Sequence, residues 1–174
     1  MKKLWCLLLA GLLLLSGCAA EPAWETVNDE NTAAASAEER APCSIRFGVP
    51  EDAAEQMISP DGTRNVYTQA GGDYEIVSEV IPAESLDEAV RHVSGFGADE
   101  VQLLETTRFG LPEYRFAWSD ESDEGRYVSR ASLIRDGSYF YSLVFSVREG
   151  LFDKYSDCAA AVFSSFGLYG DEEF

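Results

Sequence analysis

From Cys43 onward apolar and polar side chains alternate in short blocks, and the period of each block predicts an element. Residues 43–49 read Cys-Ser-Ile-Arg-Phe-Gly-Val before Pro50, so Ile45, Phe47 and Val49 share the inner face of a half-buried strand. Asp61-Gly62 marks a turn, residues 65–69 form a short strand, and Gly71-Gly72 breaks it. Alternation resumes over residues 74–81, with Tyr74, Ile76 and Val80 pointing inward. Ser85 then stands three residues before Glu88, a capping box, and Leu86, Ala89, Val90 and Val93 follow at helical spacing as far as Gly95.

Beyond this helix the pattern is strongly β. Residues 101–107 make one strand. Residues 113–119 make another, with Tyr114, Phe116 and Trp118 on one face and Glu113, Arg115 and Ala117 on the other. Residues 126–135 and 139–147 flank Asp136-Gly137, a hairpin signal. The last of these strands is partly apolar on both faces and is expected at the centre of the sheet. Residues 150–166 are helical, with Leu151, Tyr155, Cys158, Val162 and Phe166 along one stripe, widened by Phe152, Ala159 and Phe163, and Gly167 as the stop. The expected fold is α+β: an antiparallel β-sheet with an early short helix and a long C-terminal helix packed on it.

The N-terminus reads as an address rather than as structure. Lys2 and Lys3 precede an apolar run too short to span a bilayer, which closes on Leu15-Ser16-Gly17-Cys18. These residues resemble the bacterial lipobox, which implies cleavage before Cys18 and acylation of its sulfur and new N-terminus, with anchoring by several acyl chains. Residues 1–17 are then a lipoprotein signal peptide. Residues 18–42, Ala- and Glu-rich and nearly devoid of periodic apolar positions, are a flexible tether with a reach of about 25–30 Å. Residues 43–168 form a single globular domain, and residues 169–174 an acidic tail. The expected location is the extracytoplasmic face of the cell membrane; inner or outer membrane stays open.

Charge narrows the partners. The 174-residue chain has 31 acidic and 13 basic side chains, and loss of Lys2 and Lys3 with the leader takes the net charge from −18 to −20. Such a body repels nucleic acid and anionic lipid head groups. With Cys6 removed and Cys18 acylated, Cys43 and Cys158 remain. Two alternatives stand for them: a disulfide staple of an oxidising compartment, contributing on the order of 4 kcal/mol, or two buried thiols.

The ordered pieces Phe47-Gly-Val-Pro50, Ser85-Leu-Asp-Glu-Ala89, Tyr139-Phe-Tyr-Ser-Leu143 and Ser164-Ser-Phe166 resemble the PsbP/Mog1-like family over residues 43–168. The resemblance implies an α/β/α sandwich, an antiparallel sheet between helical layers. It also implies a mostly non-enzymatic role as an accessory subunit, a small-GTPase partner or a bacterial lipoprotein, with no family-wide catalytic motif to carry over.

The chemistry-bearing residues agree with a non-enzymatic reading. The lone histidine, His92, lies on the polar side of the short helix. There is no CxxC, no HExxH and no phosphate-cradling glycine loop, and no cofactor or metal is expected. Asp120-Glu121-Ser122-Asp123-Glu124-Gly125 faintly resembles a calcium loop, but the pattern would need an acid where Ala131 stands, so a solvated turn is the better reading. The aromatic residues Tyr114, Trp118, Tyr127, Tyr139 and Tyr141 are either the core face of the sheet or the lining of a ligand groove. The expected function is a protein- or peptide-binding accessory module of the cell envelope; the alternative is a carrier of a small ligand or divalent cation.

Overall fold

The computed structural model describes residues 41–122 and 125–169. Residues 1–40, which hold the expected leader, Cys18 and most of the expected tether, lie outside the described residues, as do residues 123–124 and 170–174. Nine strands and two helices follow in the order β1 (Ser44–Arg46), β2 (Ala53–Ile58), β3 (Arg64–Gln69), β4 (Tyr74–Pro82), α1 (Leu86–Ser94), β5 (Leu104–Arg108), β6 (Leu111–Ser122), β7 (Gly125–Asp136), β8 (Tyr139–Arg148), α2 (Phe152–Ser165) and β9 (Gly167–Tyr169). Seven strands form one antiparallel sheet in the order β2-β3-β4-β8-β7-β6-β5, and β1 pairs with β9 in a separate two-stranded ribbon.

The alternation in β8 dictates the layering. Its odd positions Tyr141, Leu143, Phe145 and Val147 join Tyr74 and Ile76 of β4 and Tyr155, Ala159, Val162 and Phe166 in one core beneath α2. Its even positions Phe140 and Val144 join Phe116, Ala131, Leu133 and Ile81 with Ala89 and Val90 of α1 in a second core on the opposite face. Each face therefore carries one helix, and the antiparallel sheet with an early short helix and a longer C-terminal helix is the α+β fold expected from the pattern. The centre of the sheet falls on β8, paired with β4 on one side and β7 on the other.

Local chemistry explains the boundaries. Ser85 Oγ accepts a hydrogen bond from the Glu88 N–H at 3.2 Å, and Gly95, at φ 80°, ends α1 in the left-handed conformation glycine favours. The β5–β6 turn is Phe109-Gly110, both at positive φ. Four details depart from the sequence pattern. β2 was not expected: it is an edge strand, exposed at five of its six positions, and so carries no alternation. The first strand is only three residues long. Gly167, expected merely to stop α2, opens β9 opposite Arg46. Pairing of β6 with β7 also runs to Ser122 and Gly125, which shortens the expected acidic turn.

Leu143, fully buried at the centre of the sheet, and Met57, 48 % exposed on the edge, should separate cleanly. Leu143→Ala is expected to lower unfolding free energy by about 2–5 kcal/mol in urea titrations. Met57→Ala should change it by no more than about 0.5 kcal/mol.

Candidate functional site: an arginine-lined groove beside the C-terminal helix

α2 covers β4 and β8 but leaves the β5–β7 side of the same face open. Between them runs a groove of about 620 Å³, walled by Ala160, Phe163 and Ser164 of α2 and by Leu104, Arg108, Arg115, Ala117 and Arg130 of the strands. The register explains this lining. Arg115 lies opposite Leu104 on one side and Ser132 on the other, and Ala117 lies opposite Arg130. These residues share the face on which Glu113 sits.

Glu113 is the hub. It is 1 % exposed yet charged, and three donors satisfy it: Arg108 Nε to Oε1 at 2.9 Å, Ser132 Oγ to Oε1 at 2.7 Å, and an Arg115 guanidinium N–H to Oε2 at 2.9 Å. Burial pushes the Glu113 carboxyl up, but the hydrogen bonds from Arg115 and Ser132 and the charge of Arg108 outweigh it, leaving the group below its ordinary value. Arg108 also donates to the Phe166 carbonyl at 2.9 Å, tying β5 to the C-terminal end of α2, where a cation suits the helix dipole. Arg130 differs. Its guanidinium stacks 4.1 Å above the Phe152 ring and has no carboxylate partner among the described residues.

The aromatic residues singled out from the sequence do not form one lining. Tyr114 and Trp118 pack half-buried on the α1 side, Trp118 stacked on Phe116 at 5.4 Å. Tyr139 and the buried Tyr141 belong to the core under α2, where Tyr141 Oη accepts from the Cys43 N–H at 2.9 Å. Tyr127 alone lines a cavity, a polar cleft of about 340 Å³ on the α1 side with Glu75, Asp120 and Arg148. The groove was missed because Glu113 and Arg115 read as an outward polar face. Arg115 faces Ser132 and Glu113 faces Ile134 across the β6–β7 pairing, a register that local pattern does not encode.

Cys43 and Cys158 are free, half-buried thiols in this structure, not a bonded pair. Burial pushes the Cys158 thiol up, the setting of an unreactive cysteine. His92 is half-exposed, its Nε2 3.1 Å from Glu79 Oε1. Among the described residues no group of three or more His, Cys, Asp and Glu side chains could hold a metal ion, and no helix is long and apolar enough to cross a membrane.

The architecture is a PsbP-like α+β fold. Cyanobacterial PsbP (CyanoP) from Synechocystis superposes with a TM-score of 0.52 at 13 % identity, over 76 % of this chain and 96 % of that one. LpqN, involved in cell envelope biogenesis of Mycobacterium tuberculosis, gives 0.52 at 14 % identity over 76 % and 88 %. A longer Bacteroides thetaiotaomicron protein gives 0.51 at 12 % identity over 75 % of this chain and 47 % of its own length. No protein-family model matches the chain, and no curated protein matches it.

Removing the hub carboxylate strands the partly buried Arg108. Glu113→Gln should cost about 3–5 kcal/mol of stability. Because the folded carboxyl titrates below its unfolded value of about 4.5, its contribution is complete above that pH and is lost as pH falls through the folded value. Stability-versus-pH curves should thus fall less steeply below about pH 4.5 in Glu113→Gln than in the parent.

Proposed function

We propose that this protein is a lipoprotein anchored through Cys18 at the extracytoplasmic face of the cell membrane, and that its domain is a non-enzymatic binding module of the envelope. The observation that carries the binding reading is the open groove beside α2, with apolar walls and a fixed arginine floor. Interfaces are enriched in arginines set beside apolar surface. The occupant proposed first is a protein or peptide of the envelope. Further support comes from the lipobox residues Leu15 to Cys18, from the PsbP-like fold and from the envelope role of the structural neighbour LpqN. The non-enzymatic part rests on the candidate groups themselves. His92 is paired with Glu79 on the surface, and burial pushes the half-buried Cys158 thiol up.

A second reading, a carrier of a small ligand, is favoured by the groove volume, which lies in the range of small-molecule sites. The divalent-cation form of that reading gains nothing from a groove lined by guanidinium groups.

Two measurements test the proposal. Mass spectrometry of the native protein should find Cys18 N-terminal and acylated, and Cys18→Ser should move the chain out of the membrane fraction. Position 18 found unmodified, with residues 1–17 still attached, would overturn the anchoring. A photo-crosslinking side chain at Leu104, on the rim of the groove, should then give a discrete envelope-protein adduct in intact cells that the same group at Arg91 on α1 does not. Identical adducts from both positions, or none, would remove the groove as the partner site.

A further inference from the structure

The ligand class can be read from the charge distribution, given the reading that this groove is the binding site. The whole chain carries −18, and acids outnumber bases more than two to one. The groove reverses that balance. Three of the chain's 13 basic side chains, Arg108, Arg115 and Arg130, line it, and no Asp or Glu does so among the described residues. Glu113 lies beneath and neutralises one charge, so the floor carries an excess of two positive charges.

The three arginines are not equivalent. Arg108 is 13 % exposed and engaged by Glu113 and the end of α2, which makes it part of the framework. Arg115 gives one nitrogen to Glu113 and is 46 % exposed, so it keeps further N–H donors facing the groove. Arg130 lies over the Phe152 ring and has no carboxylate partner among the described residues. Because Ala117 faces Arg130 and Arg115 faces Ser132, these two arginines are diagonal neighbours on adjacent strands, about 7–8 Å apart at their Cα atoms. Both arginines line the same groove, and guanidinium forks match carboxylate and phosphate oxygens. Apart from Gln102 and Ser164, the side chains along the rest of the wall include Leu104, Ala117, Ala160 and Phe163, a largely apolar surface suited to hydrocarbon.

We infer that the groove binds a single-chain amphiphile with one anionic head group, a carboxylate or a phosphate, the head on Arg115 and Arg130 and the apolar body along Leu104 and Phe163. A cavity of about 620 Å³ accommodates one such molecule. The acidic remainder of the surface disfavours anions elsewhere, so binding should be confined to this site.

The test is calorimetric titration of the mature chain carrying Cys18→Ser, which keeps lipid and detergent out of the cell. Decanoate and decyl phosphate, below their micelle concentrations, are compared with decyltrimethylammonium and decyl glucoside. At least one anionic probe should bind with one-to-one stoichiometry and about tenfold or more tighter than the cationic and neutral probes, the equivalent of one charge-assisted contact. Arg130→Gln should weaken it about tenfold while the melting temperature stays close to the parent's, since Arg130 holds no ion pair in the fold. Leu104→Asp, at a position 62 % exposed, should weaken it through repulsion without unfolding the chain. Equal affinity for all head groups, no binding of any probe, or anion binding untouched by both variants would overturn the inference. Failure here alongside a specific protein adduct from Leu104 would leave the protein-binding reading standing. Anion binding without any adduct would do the reverse.

Discussion

Tyr139–Arg148 presents apolar side chains on both faces, and one strand cannot bury both without cover above and below. Most of the architecture answers to that requirement. β4 and β7 flank β8 in the plane, α1 closes over Phe140 and Val144, and α2 closes over Leu143 and Phe145. Two helices of 9 and 14 residues cannot roof seven strands, so part of each face stays open. On the α2 side the uncovered part became the groove. On the α1 side it became the polar cleft around Tyr127 and the Ser129–Ser146 hydroxyl pair.

The inner face of β6 shows how an unroofed region stays soluble without becoming floppy. An apolar surface there would invite self-association, and an isolated charge would be costly beside the core. The chain places a carboxylate at Glu113 and surrounds it with Arg108, Arg115 and Ser132, so both carboxylate oxygens have donors. The same bonds fix Arg108 and Arg115, two of the three arginines that floor the groove. Stability and preorganisation therefore share one cluster: a substitution at Glu113 would disturb both, whereas one at Arg130 would touch mainly the surface offered to a ligand.

What could be read from the sequence follows from where period and burial coincide. The Ser85–Glu88 cap, the two-faced β8 and the stripe on α2 all put strongly apolar or capping residues at fixed spacing, and all appear in the structure. Ala53–Ile58 could not be read, because an exposed edge strand with a register shift between Glu55 and Met57 has neither alternation nor core residues. The aromatic residues could be read only as core face or groove lining, and their division between two layers and the Tyr127 cleft depends on strand order, which local pattern does not encode. The Glu113 cluster was illegible for a related reason. Its partners come from Arg108 and Ser132, on two other strands, and a charged residue on the polar side of an alternating strand ordinarily faces water.

The ribbon of β1 and β9 carries a further consequence. Ser44 sits directly across from Tyr169, so the first and last strands of the domain meet on one rung. The backbone is thereby almost a closed loop, in which the position of the break matters less than the pairing itself. A short linker joining those two ends, with new ends opened at Gly137-Ser138 between β7 and β8, would preserve every layer while changing only the order in which the strands are made.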